Sequence, residues 1–289
     1  MWRVLIITIL LPVLVHAEPK LTDEPSPSQV KTDTAVTEAV SPVTMALPAE
    51  PVVWETSEEE LKTPGVKMVV KMLDGFRKMG ENRDKFLDGK QSYDKYMARD
   101  NELVKEVSQY IDYYDVCEKS LKYDYDAKKK KFKKDHWAGK SQEERNSFAS
   151  LFKNLVEEIA YPLANEYFGD LKMKHNVVSQ KRDDIEIRTL IKGKKTKKRN
   201  KEFIMSWYLH PKRDGGWIIY DINIEGERWV PGFRSQFNDV IIKKNYSELF
   251  KLMRKKLEEE ATDRKKKDIK AAEDRKKEAE LKNGITNKN

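Results

Sequence analysis

The chain has 289 residues, a formal net charge of +8 at pH 7 and one cysteine, Cys117. A lone cysteine excludes an intramolecular disulfide, so the fold must depend on an apolar core. The basic balance favours an anionic partner, which could be nucleic acid, anionic lipid headgroups or an acidic protein surface.

The first 62 residues carry no pattern of a folded domain. Arg3 precedes an apolar run from Val4 to Val15, and this predicts a cleaved secretory signal peptide over residues 1–17. The alternative is a membrane anchor, but the run is shorter than the roughly 20 residues of a membrane span and Pro12 interrupts it. Residues 18–62 hold six prolines and few apolar residues, which predicts a disordered tether.

The predicted folded domain spans residues 63–257 and begins with helices. Thr63 can cap a first helix and Pro64 suits its first position. Apolar residues at helical spacing predict a second helix at about Asp94–Ile111 and a shorter third helix that contains Cys117. We interpret Cys117 as a small buried hydrophobic residue, not a nucleophile.

A further helix follows the basic run Lys128–Lys134. Ser141 and Glu144 form a capping-box pattern at its start. Its apolar face is wide and consists of Phe148, Leu151, Phe152, Leu155 and Ile159. Such a stripe is typical of a core-facing helix.

Beyond Gly169 the apolar period changes to that of β-strands. Four strands are predicted at Lys172–Gln180, Asp183–Ile191, Glu202–His210 and Trp217–Glu225, and their short connections indicate an antiparallel meander. Alternation assigns these residues to apolar faces of the sheet: Ile185, Ile187, Phe203, Met205, Trp207, Ile218, Tyr220, Ile222 and Ile224. Alternation does not decide which face of each strand points inward.

The connection between the second and third strands is a basic hairpin tip, Lys192–Lys201. We expect its cations to steer the protein towards anionic membranes or a partner; they are Lys194, Lys195, Lys197, Lys198 and Arg199. The alternative is a solvated tip without a role. Nucleic acid is disfavoured because only Phe132 interleaves the basic runs as a stacking residue.

The last segment begins after the turn Pro231-Gly232, and its apolar stripe ends at Leu257. Residues 258–289 are charged, with pairs such as Glu260 and Arg264 spaced by four. Each such pair contributes only about 0.2–0.5 kcal/mol. The sequence therefore predicts a solvated helical tail that projects from the domain.

Catalytic motifs are missing from the sequence. It contains no Gly-x-Ser-x-Gly elbow, no His-Glu-x-x-His and no phosphate-binding glycine loop. The histidines are scattered and show no metal-ligand spacing. The prediction is a protein that is not an enzyme and needs no metal or cofactor.

The stretch Trp217–Asn238 carries a recognisable pattern. The residues that matter are Trp217, Tyr220, Asp221, Glu225, Gly226, Phe233, Arg234, Ser235, Gln236 and Phe237. Their order resembles the MlaC, or toluene-tolerance auxiliary, family of periplasmic phospholipid carriers. The chain departs from the family pattern at Glu227-Arg228-Trp229. The resemblance covers roughly Pro64–Glu260.

This resemblance implies an α+β fold. N-terminal helices would pack on a four-stranded antiparallel twisted sheet, as an NTF2-like cone with an apolar lipid cavity, followed by C-terminal helices. The apolar helix and sheet faces named above would line that cavity and hold the acyl chains of a phospholipid. We expect Asp221 and Arg234 to pair with each other and to stabilise the strand-to-helix turn.

The resemblance also implies a periplasmic shuttle between two membranes. Its partners would be an inner-membrane ABC transporter complex with a lipid-binding subunit and an outer-membrane lipoprotein–porin complex. Two other functions stay open. One is an enzyme on a similar scaffold, which would need an Asp, Glu or His on the inward sheet face. The other is a non-catalytic adaptor that uses the basic hairpin and the charged tail.

Overall fold

The computed structural model describes residues 58, 62–122, 125–126, 131–132, 135–162, 172–181, 183–192, 202–213 and 215–286. The predicted signal peptide, nearly all of the predicted tether, most of the run Lys128–Lys134 and residues 193–201 lie outside this set. The steering residues Lys194, Lys195, Lys197, Lys198 and Arg199 are therefore outside the described residues, and their role stays a prediction.

Among the described residues, six α-helices and one π-helical segment form the helical part. They are α1 (Pro64–Leu87), α2 (Tyr93–Ser108), α3 (Tyr113–Lys122), α4 (Gln142–Leu155), the π-helical segment Val156–Ala160, α5 (Trp229–Lys243) and α6 (Tyr246–Thr286). A small ladder of β1 (Tyr125–Asp126) and β2 (Lys131–Phe132) lies between α3 and α4.

The helix starts follow local sequence rules. Thr63 is extended and Pro64 occupies the first turn of α1, where a missing N–H costs nothing. The Ser92 hydroxyl accepts from the Lys95 N–H at the start of α2. Ser141 and Glu144 form the predicted reciprocal capping box of α4. These caps satisfy N–H groups that the helices themselves leave unpaired.

Five antiparallel strands form one open sheet in sequential order. They are β3 (Lys172–Lys181), β4 (Asp184–Lys192), β5 (Glu202–Pro211), β6 (Trp217–Ile224) and β7 (Glu227–Arg228). The predicted α+β class and antiparallel meander are confirmed, with β7 as a strand that the prediction lacks. Glu225 and Gly226, at φ 51° and 94°, form the turn that makes β7 possible.

The helix α5 begins two residues earlier than the predicted turn at Pro231-Gly232. Pro231 lies in its first turn, which is a position that tolerates proline because its N–H has no helical partner. Pro231 therefore lies within the first turn of α5, and it does not mark a turn that precedes the helix.

Helix α1 covers one face of the sheet. A Cβ atom built on Gly65 would lie 2.4 Å from the Ile185 Cδ1 atom and 3.2 Å from that of Ile187. A side chain at this position would force Ile185 to move, so glycine allows the close approach of α1 to the sheet. The face that carries Ile185 and Ile187 is therefore the inward face of the sheet.

A second glycine sets the contact between α1 and α2. A Cβ atom on Gly75 would lie 2.5 Å from Val107 Cγ2, and a β-branched side chain has little rotamer freedom in a helix. We expect Gly75→Ala to destabilise the protein by about 1–2 kcal/mol, because overpacking outweighs the gain in helix propensity. In a Val107→Ala background the same change should stabilise by up to about 1 kcal/mol. Urea unfolding of the four proteins measures this; the same sign in both backgrounds would contradict the contact.

The charged tail does not project as predicted. Arg264 of α6 bonds Asp100 of α2 and lies 3.5 Å from a Glu158 oxygen in the π-helical segment. Asp268 lies 3.6 Å from Arg83 of α1, and Arg275 lies 2.8 Å from Asp84. The prediction that the tail projects from the domain is wrong as far as Arg275, because its charges pair with distant helices and not only along α6. The tail is helical as predicted, and most of its residues are exposed.

No helix among the described residues combines the length and the apolar character that a membrane crossing requires.

Candidate functional site

The inward sheet face and the helices that cover it form one continuous apolar interior. Ile185, Ile187, Met205 and Trp207 are all buried, and Phe203 is partly buried against the same core. Their strands β4 and β5 pair in register, with Ile187 opposite Trp207. The predicted apolar residues of β4 and β5 therefore lie together in one layer.

The last long strand departs from simple alternation. Tyr208 pairs with Asp221 but Leu209 pairs with Ile219, so the register skips Tyr220. Ile219 is consequently fully buried, while Ile218 and Tyr220 are half-buried. The prediction that Ile218 and Tyr220 share the inward face with Ile222 and Ile224 is wrong. A register irregularity shifts every residue on one side of it to the other face.

Tyr220 belongs instead to a polar cluster on the other side of the sheet. Its ring stacks on His210 with 5.3 Å between centroids. The Lys119 ammonium of α3 lies 4.5 Å from its centroid. These are the contacts of an amphipathic side chain at a surface and not those of a cavity wall.

The helix side of the interior is an aromatic cluster. Phe152 of α4 contacts Phe233 of α5 with 4.8 Å between centroids, and Phe148 contacts Phe237 at 5.5 Å. The remaining predicted residues of this wall, Leu151, Leu155 and Ile159, are also buried. Helix α5 contacts both this cluster and β6, so the predicted helix wall and sheet wall are parts of one core. That these residues hold acyl chains stays a prediction.

Polar groups also lie on the inward face. The Trp207 Nε1–H donates to the Thr189 hydroxyl at 2.9 Å, and His175 Nδ1 lies 2.9 Å from the same oxygen. His175, Thr189 and Trp207 are all buried. The sheet residues that were predicted to form the apolar faces include no Asp, Glu or His. The buried His175 shows that the inward face does carry one such residue. No sequence signal indicates its depth, because only the pairing of His175 with Thr189 across β3 and β4 places it inside.

A second buried polar cluster lies at the π-helical segment. The hydroxyls of Tyr113 and Tyr161 are 2.5 Å apart, and Ser108 donates to Tyr161 at 3.2 Å. Ser108 also bonds Glu157. Burial raises the pKa of Tyr113 well above its usual value, so the phenol stays a neutral donor. Helical spacing gives no sign of this cluster, because Ser108 and Tyr161 are 53 positions apart in the sequence.

The motif residues have structural roles. Asp221 accepts from the N–H groups of Ile222 and Val230 and from Arg228 Nε at 2.8 Å. Burial raises the pKa of Asp221, and the Val230 N–H and Arg228 oppose that rise. The Val230 contact ties β6 to the first turn of α5, as predicted for the strand-to-helix turn.

The predicted partner of Asp221 is wrong. Arg234 donates to the Lys119 carbonyl oxygen of α3 at 2.8 Å, and Arg228 pairs with Asp221. Arg228 lies in the short β7, at the position where the sequence departs from the family pattern. Of the other motif residues, Phe237 is buried, Trp217 is half-buried, and Glu225, Gly226 and Ser235 are exposed.

Cys117 is fully buried, and burial raises the pKa of its thiol well above the usual value. A reactive cysteine needs an accessible thiolate. We therefore expect no reaction with Ellman's reagent in the folded protein and one thiol per chain after unfolding in guanidinium. Reaction of the native protein at a rate close to that of a free thiol would contradict the burial of Cys117.

No metal centre is evident in the part of the chain that the structure describes. No group of three or more His, Cys, Asp or Glu residues there could hold a metal ion. The described interior consists of apolar side chains with a few hydrogen-bonded polar groups.

Three comparisons relate the chain to known proteins. A family model described as MlaC protein matches residues 86–255. A search of curated proteins found no match. Among solved structures, a phospholipid-binding protein from Ralstonia solanacearum, in complex with a phospholipid, aligns with a TM-score of 0.51 and 15% identity. The alignment covers 68% of this chain and 97% of that one. This similarity supports the fold.

Proposed function

Because this chain belongs to the MlaC family, we propose that it is a phospholipid carrier that buries acyl chains between its sheet and its helices. The family match over residues 86–255 carries this proposal. The phospholipid bound to the similar Ralstonia solanacearum protein supports it, since that fold is able to enclose such a ligand.

The physical requirement for a carrier is an apolar interior. Exposing acyl chain to water costs about 0.8 kcal/mol per CH₂ group, so two chains cannot cross an aqueous space uncovered. The inward sheet face, with Ile187, Met205 and Trp207, and the aromatic cluster of α4 and α5 supply apolar surface on two sides. In this proposal the acyl chains lie against these walls and the headgroup stays in solvent.

The proposed setting follows from the family and the predicted signal peptide. We place the protein in the periplasm, where it would take phospholipid from one membrane complex and deliver it to another. An inner-membrane ABC transporter complex and an outer-membrane lipoprotein–porin complex are the proposed partners. The proposed role is binding and transport without catalysis.

The first test is the lipid content of the full chain. The protein is purified without detergent and extracted with organic solvent, and the extract is analysed by mass spectrometry. We expect close to one phospholipid per chain. A folded protein that is free of lipid after expression in cells with normal phospholipid would overturn the proposal.

Variants then locate the lipid. Trp207→Asp and Leu155→Asp place a charge in the interior and should empty it, whereas Tyr220→Ser on the outward face should retain the lipid. Circular dichroism accompanies each variant, because a charge in the core can unfold the chain. If a variant unfolds, Met205→Gln replaces it as a milder polar change. Full lipid content in every folded interior variant would exclude this interior as the binding site.

A further inference from the structure

A groove with a basic rim lies at the end of the domain where α1 begins. A cavity of about 360 Å³ separates the first turns of α1 from the hairpin that joins β5 and β6. We name it the basic groove and define it by Lys67, Met68, Lys71, Tyr110, Lys212 and Trp217. The Lys212 N–H donates to the Gly216 carbonyl at 3.1 Å, and this turn brings Lys212 to the mouth.

The described lining of the groove is positively charged. It contains Lys67, Lys71 and Lys212, and no carboxylate is among the described lining residues. Among the described residues, none of these three lysines has a carboxylate within ion-pair distance. The first turn of α1 carries no acidic residue, so the positive end of the helix dipole adds to the same field.

A neighbouring cavity differs from the basic groove in the pairing of its lysine charge. It has a volume of about 260 Å³ and shares Lys71 and Tyr110 with the groove. There Lys78 lies 2.8 Å from an Asp74 oxygen, which compensates its charge. Lys78 of the neighbouring cavity is therefore paired, whereas Lys67, Lys71 and Lys212 of the basic groove are not paired with any described carboxylate.

The floor of the groove is apolar and aromatic. Met68 is buried, and the rings of Tyr110 and Trp217 are half-buried. Aromatic side chains with a polar edge are favoured where a protein meets the headgroup region of a bilayer. Cations above such a floor match a ligand with an anionic group joined to an apolar one.

The size of the groove restricts this ligand. A volume near 360 Å³ is at the lower end of small-ligand pockets, whereas a stable protein interface covers about 800 Å² per partner. We propose that the basic groove binds the phosphate-bearing headgroup of an anionic phospholipid in a bilayer, so that this end of the domain docks on membranes. The three lysines of the rim are not part of the apolar core, although Met68 on the floor belongs to it, so the charge test of this inference does not depend on the proposed carrier function.

The experiment measures binding of the full chain to vesicles by flotation. The vesicles contain phosphatidylcholine alone or phosphatidylcholine with phosphatidylglycerol. The test variant is Lys67→Gln/Lys71→Gln/Lys212→Gln. The matched control removes three exposed lysines outside the groove, in Lys243→Gln/Lys244→Gln/Lys270→Gln. Gln109→Trp, which fills the groove without changing its charge, is a third variant.

We expect the wild-type protein to bind the anionic vesicles. The groove variant should weaken that affinity about a hundredfold, since each lysine near a membrane surface raises the affinity about fivefold. The control should weaken binding by less than about fivefold, and Gln109→Trp should weaken it more than the control does. Hydrogen exchange should show protection of residues 64–71 and 209–217 on vesicle addition. The co-purified lipid of all variants should stay at the wild-type level.

Several results would overturn the proposal. Equal losses in the groove variant and the control would mean that only the overall charge matters. Equal binding to neutral vesicles would exclude recognition of an anionic headgroup. Protection of the groove by polyglutamate but not by vesicles would identify an acidic protein segment as its ligand, and protection by inorganic phosphate alone would leave no membrane role.

Discussion

Replacing Arg264 with methionine is expected to lower the free energy of unfolding by about 3–5 kcal/mol, the usual cost of removing one partner of a buried ion pair. The Arg264 side chain is 12% exposed and the Asp100 side chain 0% exposed. Burial raises the pKa of Asp100, and Arg264 opposes that rise. Burial acts to lower the pKa of Arg264, but Asp100 and Glu158 raise it above its usual value. The guanidinium is therefore charged in the fold, and its loss removes the ion-pair partner of Asp100 and of Glu158.

Chemical unfolding at pH 7 measures this effect. Lys266→Met, two residues away on the exposed side of α6, is the control and should change stability by less than about 0.5 kcal/mol. The double variant Asp100→Asn/Arg264→Met should recover part of the loss, because the buried charge is then removed with its partner. Similar stabilities of Arg264→Met and Lys266→Met would show that α6 does not dock in solution.

This prediction changes how the tail is interpreted. A deletion of residues 258–289 removes Arg264, Asp268 and Arg275 and so breaks contacts with α1, α2 and the π-helical segment. A functional loss after that deletion would therefore report destabilisation as well as any lost partner. Arg264→Met isolates the docking contact and leaves the remaining charges of the tail in place.

Asp221→Ala is the second change with a large expected effect, a loss of about 3 kcal/mol. The Asp221 side chain has no exposed surface and accepts from two backbone N–H groups and from Arg228. Its removal leaves the buried Val230 N–H unsatisfied at the start of α5, and an unmade buried hydrogen bond costs about 1–3 kcal/mol. The lost pairing with Arg228 adds to that cost.

The comparison with three variants sharpens the test, again by chemical unfolding. Asp239→Ala, at an exposed position of α5, should be close to neutral. Arg228→Leu should cost less than Asp221→Ala, since the Arg228 side chain is 41% exposed. Arg234→Leu should affect the contact with α3 and not the turn. Double-mutant cycles would contradict the pairing of Asp221 with Arg228 if Asp221→Ala coupled strongly to Arg234→Leu and not to Arg228→Leu.

Local rules were sufficient for much of the fold. The capping box at Ser141, the proline start of α1 and the strand bounds of β4 and β5 agree with the sequence prediction within about one residue. Each depends on residues that are neighbours along the chain. The antiparallel meander follows for the same reason, because short connections leave adjacent strands few ways to pair.

The candidate site was predictable only in part. The apolar helix face with Phe148 and Phe152 and the strand residues Ile187 and Trp207 are in the core as expected. His175 was not predicted to be buried, because the sequence of a strand does not show how deeply a polar residue lies. Only its pairing with Thr189 on β4 places it inside.

The sequence by itself determined where helices and strands form, since caps, turns and periodicity act over a few residues. The tertiary structure decided three features that caps, turns and periodicity did not predict. The register of β6 against β5 excluded Tyr220 from the inward face. Asp221 took Arg228 as its partner because the turn at Glu225-Gly226 returns the chain beside β6. The charges of α6 found buried partners on α2, a contact between residues 164 positions apart, which i,i+4 spacing along one helix could not reveal.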